Sequence, residues 1–144
     1  MACARLAHAR PCRRACLSLV LTRPPGVIRT QPPSAQGAGA YEVIDGDTIR
    51  AHYGVKYRLM GFDAPETFQA NCDAELALGK RAAERLKELL ASGEVRIIES
   101  GKIDRYGRTL PHLTVNGRDV GGVLIGEGLA RAYNGRTKRQ GWCG

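Results

Sequence analysis

Tyr41-Glu-Val-Ile-Asp45-Gly-Asp47-Thr-Ile-Arg-Ala-His-Tyr53-Gly-Val-Lys-Tyr-Arg58-Leu-Met60 is the stretch that decides the fold. β-Branched and aromatic residues recur through it, and Gly46 and Gly54 break it twice. That pattern predicts three short strands over 41–44, 48–53 and 55–60, with turns between them. The next segment, Gly61-Phe-Asp63-Ala64-Pro-Glu66-Thr67, reads as a loop. Pro65 has no backbone donor and biases Ala64 to an extended conformation.

Further on, the period changes. Over 74–91, Leu76, Leu78, Ala82, Ala83, Leu86, Leu89 and Leu90 fall on one side at helical spacing, and the lysines, arginines and glutamates fall on the other. Asp73 is the expected N-cap and Gly93 the expected stop. Residues 94–99 and 109–115 read as strands, followed by an Asn116-Gly117 turn. A short helix over 120–127 and a last strand over 129–133 complete the order. Short strands around one packing helix predict an α+β, mainly β fold: a small five-stranded OB-fold Greek-key barrel.

The 144 residues suit one domain. A formal net charge of +8 suggests an acidic partner, but six of the arginines lie in residues 1–40, which hold no acid. From Tyr41 onward sixteen basic residues face fourteen acidic ones, so the domain's own charge says little about nucleic acid. Arg131, Arg136, Lys138 and Arg139 form a basic tail that reads either as solvated or as a hold on a substrate backbone. Residues 1–40, rich in Ala, Arg and Pro, read as a leader or linker ahead of a domain over 41–144. Export to the periplasm or medium is the favoured reading, against a disordered tail or a mis-assigned start. The apolar run 15–21 is far too short to span a membrane. The expectation is a monomer without membrane insertion.

The chemistry lies in carboxylates and arginines. Asp47 and Asp63 sit where strand meets turn, so each can direct a carboxylate into one cleft. Oxygen ligands without nearby His or Cys favour Ca²⁺ or Mg²⁺ over zinc. The alternative for an Asp-Gly pair is turn capping, which suits Asp45 better, and Asp45 is read as a supporting or turn residue. Glu66, three residues after Asp63 on a proline-stiffened loop, is the candidate general base, against the reading of an exposed loop glutamate. Arg58 and Arg108 are candidate phosphate clamps, since a guanidinium binds phosphoryl oxygens in pairs and stays charged. Arg58 lies within an apolar strand and should be partnered. His52 and His112 lack ligand spacing.

In order and spacing, Val43-Ile-Asp-Gly-Asp-Thr-Ile49, Arg58-Leu-Met-Gly-Phe-Asp-Ala-Pro-Glu-Thr67 and Asp104-Arg-Tyr-Gly-Arg108 closely resemble the staphylococcal-type nuclease family. The resemblance runs from about residue 41 to 133. It implies a Ca²⁺ cofactor held by Asp47, Asp63 and the backbone carbonyl of Ala64, where the family often has threonine. It implies Arg58, Glu66 and Arg108 as catalytic residues and Tyr133 as a contact to the nucleotide. It implies DNA and RNA as substrates, cut with little sequence preference at the 5′-oxygen side to leave 3′-phosphate ends. The rival reading is a catalytically silent OB-fold that binds nucleic acid or a protein.

Of five cysteines, Cys3, Cys12 and Cys16 lie in the leader, which leaves Cys72 and Cys143 as an even pair. The family's best-known members extend further past the last strand and close with a helix. A Cys72–Cys143 disulfide could pin the tail in its place, given an oxidising compartment; the alternative is two free thiols.

Overall fold

The computed structural model describes residues 39–144. The leader expected over 1–40 lies almost wholly outside the described residues.

The described chain is α+β and mainly β. Four short strands come first: β1 (Tyr41–Asp45), β2 (Thr48–Ala51), β3 (Lys56–Arg58) and β4 (Gly61–Asp63). Helix α1 (Asp73–Ala91) follows, then β5 (Val95–Ile103), β6 (Thr109–Val115) and β7 (Arg118–Asp119). Helix α2 (Val120–Gly126) and β8 (Arg131–Tyr133) complete it. The main sheet runs β1-β2-β3-β6-β5, with β7 on β6, and β4 pairs only with β8. Neighbours are antiparallel except β3 and β6, which meet in parallel at Tyr57 and Thr109. The long strand β6 thus enters the sheet between β3 and β5, an order consistent with the expected OB-like fold.

Three expectations change. The segment at Gly61 begins as a strand: Gly61, Phe62 and Asp63 pair with Tyr133, Ala132 and Arg131. Its partner lies about seventy residues away, and a three-residue strand has too little local pattern to announce itself. The cap of α1 is Cys72, in extended conformation and without a side-chain cap bond, so Asp73 is the first helical residue. An aspartate there still faces the positive end of the helix dipole. The helix closes at Ser92 instead of Gly93, where the Ser92 hydroxyl donates to the Leu89 carbonyl at 2.7 Å. Gly93 is needed for space, because a Cβ there would collide with the Asn116 side chain.

Ile49, Leu59, Leu86, Val95, Val120 and Leu124 are fully buried and form the centre of the core. The face that α1 turns to them carries Ala82, Ala83, Leu86 and Leu90, as the helical spacing predicted, together with Glu75 and Gly79. Leu76, Leu78 and Leu89 are only half-buried.

Two glycines set how closely the helix approaches the loops. A Cβ on Gly46 would stand 2.7 Å from the Ala82 Cβ and 2.8 Å from the Ala64 Cβ. One on Gly79 would stand 2.8 Å from the Glu66 carbonyl oxygen and 2.9 Å from that of Pro65. The helix therefore serves as a flat base for both the β1–β2 turn and the segment that ends at Glu66.

Candidate active site

Asp47 ends the β1–β2 turn, where the ladder slips by a residue between Val43 and Asp45. Its backbone carbonyl accepts from Leu59 N at 2.8 Å, which ties the turn to the end of β3. Its carboxylate accepts from the Thr48 hydroxyl at 3.0 Å and from Ala64 N at 2.9 Å. Arg58, at the end of β3, reaches the same carboxylate with Nη1 at 2.6 Å and the Asp63 carboxylate with Nη2 at 2.9 Å. All three residues are buried at 6% exposure, so this is a dry ion cluster in which one guanidinium bridges two carboxylates. A lone charge would be untenable there, and the fork shape of arginine makes the bridge possible.

Glu66 stands at the half-exposed rim of the cluster. Asp45 holds its loop in place, accepting from Thr67 N at 3.2 Å and from the Thr67 hydroxyl. This gives Asp45 a supporting job distinct from that of Asp47. Burial pushes the Glu66 carboxyl above its ordinary pKa, the Asp47 and Asp45 charges push the same way, and Arg139 and Arg58 oppose them. Burial likewise raises Asp47, against the charge of Arg58 and the bonds from Ala64 and Thr48. A carboxylate with raised proton affinity at the open edge of a dry cluster suits proton transfer.

The site fits a hard cation. Two carboxylates brought together in a buried place need positive charge, and Arg58 already supplies one in the described structure. The surrounding donors are oxygens, as Ca²⁺ prefers. Ala64 is placed by its N–H on Asp47, next to both acids.

Arg108 is not part of this cluster. It sits at the turn before β6, with Nε on the Asp104 carboxylate at 2.7 Å and its backbone N–H on the same group at 2.9 Å. Its guanidinium lies 5.3 Å from the Tyr106 ring centre. Burial raises the Asp104 pKa, but the bonds from Arg108 and Tyr106 outweigh it and leave the group below its ordinary value. The β3–β6 pairing still puts Arg108 one residue from Thr109, the partner of Tyr57, which precedes Arg58.

A different arginine reaches the carboxylates. Arg139, in the basic tail, places Nε 3.2 Å from Asp63 and Nη1 3.4 Å from Glu66. It lies 5.7 Å from the ring centre of Tyr133. The tail's charge was visible in the sequence, but not which of its cations turns inward. Tyr133 is half-buried on β8 opposite Gly61, so β4–β8 pairing brings it beside the cluster. Cys72 and Cys143 lie with their sulfurs 2.05 Å apart. His52 and His112 are exposed, and neither joins a metal-ligand cluster among the described residues.

The chain is similar to several known proteins. The family model described as "Staphylococcal nuclease homologue" matches residues 56–141. A protein of Bacillus subtilis (strain 168) named "Endonuclease YncB" is 39% identical over 103 residues, covering 66% of this chain and 48% of that protein. The "SPbeta prophage-derived endonuclease YokF" of the same organism is 38% identical over 105 residues, covering 66% and 34%. The "Thermonuclease" of Staphylococcus hyicus is 38% identical over 94 residues, covering 62% and 55%. The matched segments thus span between about a third and just over half of these relatives' own lengths.

Proposed function

Since this chain belongs to the staphylococcal nuclease family, we propose that it is a Ca²⁺-dependent nuclease that hydrolyses phosphodiester bonds of DNA and RNA with little sequence preference. The observation that carries this reading is the buried pair Asp47 and Asp63, bridged by Arg58, with Glu66 at its open edge. Asp47, Asp63 and the carbonyl of Ala64 would hold the ion. When bound, Ca²⁺ supplies positive charge to the phosphate oxygens and a template that orients the phosphodiester.

Glu66 takes the proton of the attacking water, and its raised proton affinity suits it for that task. Arg58 is locked by its two carboxylates, so it is already oriented when negative charge develops on phosphorus. Arg108 adds a second guanidinium once it leaves Asp104. Departure of the 5′-oxygen leaves a 3′-phosphate. Tyr133 offers a ring beside the cleft for the nucleotide. A cysteine cross-link and an export route belong to the same reading.

Plasmid DNA and RNA should both be degraded in Ca²⁺ and remain intact in excess EGTA. Glu66→Gln should keep the fold and cut the rate by about 10²–10³, the usual effect of losing one group that acts only in the transition state. Undiminished cleavage in EGTA would refute the calcium assignment. Absence of cleavage with retained oligonucleotide binding would favour a silent binding module.

A further inference from the structure

We propose that Arg139 is a phosphate-binding residue of this site, delivered to it by a C-terminal segment that the Cys72–Cys143 bond holds in place. The inference rests on the nuclease reading above.

Arg139 differs from Arg58 in how its charge is used. Arg58 is committed: its side chain is 7% exposed, and Nη1 and Nη2 each sit on a carboxylate, at 2.6 and 2.9 Å. Arg139 is held at longer range, 3.2 and 3.4 Å, by Asp63 and Glu66, and its side chain is 43% exposed. It therefore lies at the exposed edge of the cluster, where a phosphate approaching from solvent would meet it. Apart from Arg139, three carboxylates, Asp47, Asp63 and Glu66, face the single guanidinium of Arg58, and this excess of acid draws Arg139 inward. A cation on Asp47 and Asp63 would satisfy the charge that now holds it. Arg139 would then present its planar fork to phosphate oxygens, a geometry that a lysine cannot copy.

No helix or strand follows Tyr133, so the position of residue 139 must come from what fixes the segment at each side. On the near side, the Asn134 carboxamide oxygen accepts from Arg136 N at 2.9 Å, turning the chain just after β8. On the far side, Arg131 donates to the Gly141 carbonyl at 2.9 Å, and its guanidinium stacks 3.9 Å from the Trp142 ring centre. Both contacts are weak where water has access. The covalent anchor is Cys143, bonded to Cys72 at the cap of α1. That helix also supports the Glu66 loop through Gly79. The cross-link thus fastens the arginine and the base to one rigid element. A dithiol reductant would break the sulfur–sulfur bond, leaving two cysteine thiols while the dithiol closes to its own disulfide. Arg139 would then be held by non-covalent contacts alone: its two long ion pairs, the Tyr133 ring, the Asn134 turn and the Arg131 contacts.

The test uses the full oxidised chain and two substitutions, Arg139→Gln and Arg139→Lys. Cleavage of a single-stranded oligodeoxynucleotide in Ca²⁺ gives kcat and KM. Anisotropy of the same labelled oligonucleotide, on proteins that also carry Glu66→Gln, gives binding without turnover. Arg139→Gln should weaken binding and raise KM by about ten- to a hundredfold, the worth of one charge-assisted contact. Arg139→Lys should fall between it and the parent. Dithiol treatment should weaken binding of the parent by a similar factor and add nothing to Arg139→Gln. Parental or tighter binding by Arg139→Gln would overturn the proposal and make Arg139 a plug. An equal loss on reduction with and without Arg139 would overturn the role of the cross-link. If the parent does not cleave at all, the nuclease reading fails, while the anisotropy series still decides Arg139.

Discussion

At the scale of single residues, the arrangement turns on Arg58. It is buried with two acids, and no buried side-chain nitrogen or oxygen among the described residues lacks a hydrogen-bond partner. Replacing it with methionine roughly keeps the volume but leaves Asp47 without its ion-pair partner and Asp63 with Arg139 alone, at 3.2 Å. Removing one member of a buried ionic group costs about 3–5 kcal/mol. Arg58→Met should therefore lower Tm markedly in EGTA. Added Ca²⁺ should raise Tm more in the variant than in the parent, because the ion replaces the lost charge. Equal calcium-induced rises in the two proteins would show that the ion does not bind between these acids. The individual residues were largely legible beforehand. Asp-Gly-Asp between β-branched runs and Asp63-Ala-Pro-Glu66 are local patterns, and local patterns survive in a bare sequence. Arg139 was not legible as an individual, since its partners stand 73 and 76 positions away and only the folded tail selects it.

At the scale of elements, α1 works as a base plate, and its small residues matter more than its leucines. The Cβ of alanine at 79 would press on two backbone carbonyls, which cannot rotate away as a side chain would. Gly79→Ala should gain a little helix propensity, yet move the Glu66 loop. The expected result is a rate at least tenfold lower with the far-ultraviolet spectrum unchanged; a parental rate would mean that the loop tolerates the shift. The start of the helix has its own acid dependence. The Glu75 carboxylate, buried, accepts from Asn71 N at 2.7 Å and from the Asn71 side chain at 2.9 Å. The backbone bond from Asn71 is the main cause that lowers its pKa, with burial opposing. A folded pKa below the unfolded one means that stability is fully present above the ordinary glutamate value. It is lost as the pH falls through the lowered one. Glu75→Gln should flatten the decline of Tm over that acid range, and an unaltered slope would place the acid lability elsewhere. Helical spacing revealed this element and its buried alanines. It did not reveal Cys72 as cap or β4 as strand, because the first has no side-chain signature and the second exists only through β8.

For the whole molecule, the Cys72–Cys143 link ties together positions 71 residues apart and encloses α1, β5, β6, β7, α2 and β8. Closing so long a loop restricts the unfolded chain and is worth about 4 kcal/mol in the chain-entropy view. Reduction should lower Tm by many degrees, while below the new transition the reduced domain keeps its secondary structure. Two free thiols in protein collected from an oxidising compartment would remove the link from the account. Among the described residues no helix is long and apolar enough to cross a membrane. The succession of elements along the chain was foreseeable from the short apolar runs, apart from β4 and β7, but not the order in which the strands pair. The separate β4–β8 pair was not, since it joins the two ends of the domain and no neighbouring residues encode it.

The bridge made by Arg58 separates the making of this protein from its use. A site built of opposed acids alone would repel itself until an ion came, and its assembly would depend on supply from outside. Here the chain carries a substitute cation of its own, so it can mature in surroundings poor in calcium with its acids already in place. On the calcium reading, the ion then acts as a starter and not as a scaffold. On that reading the enzyme would fold with its acids in place and stay idle until the ion was supplied.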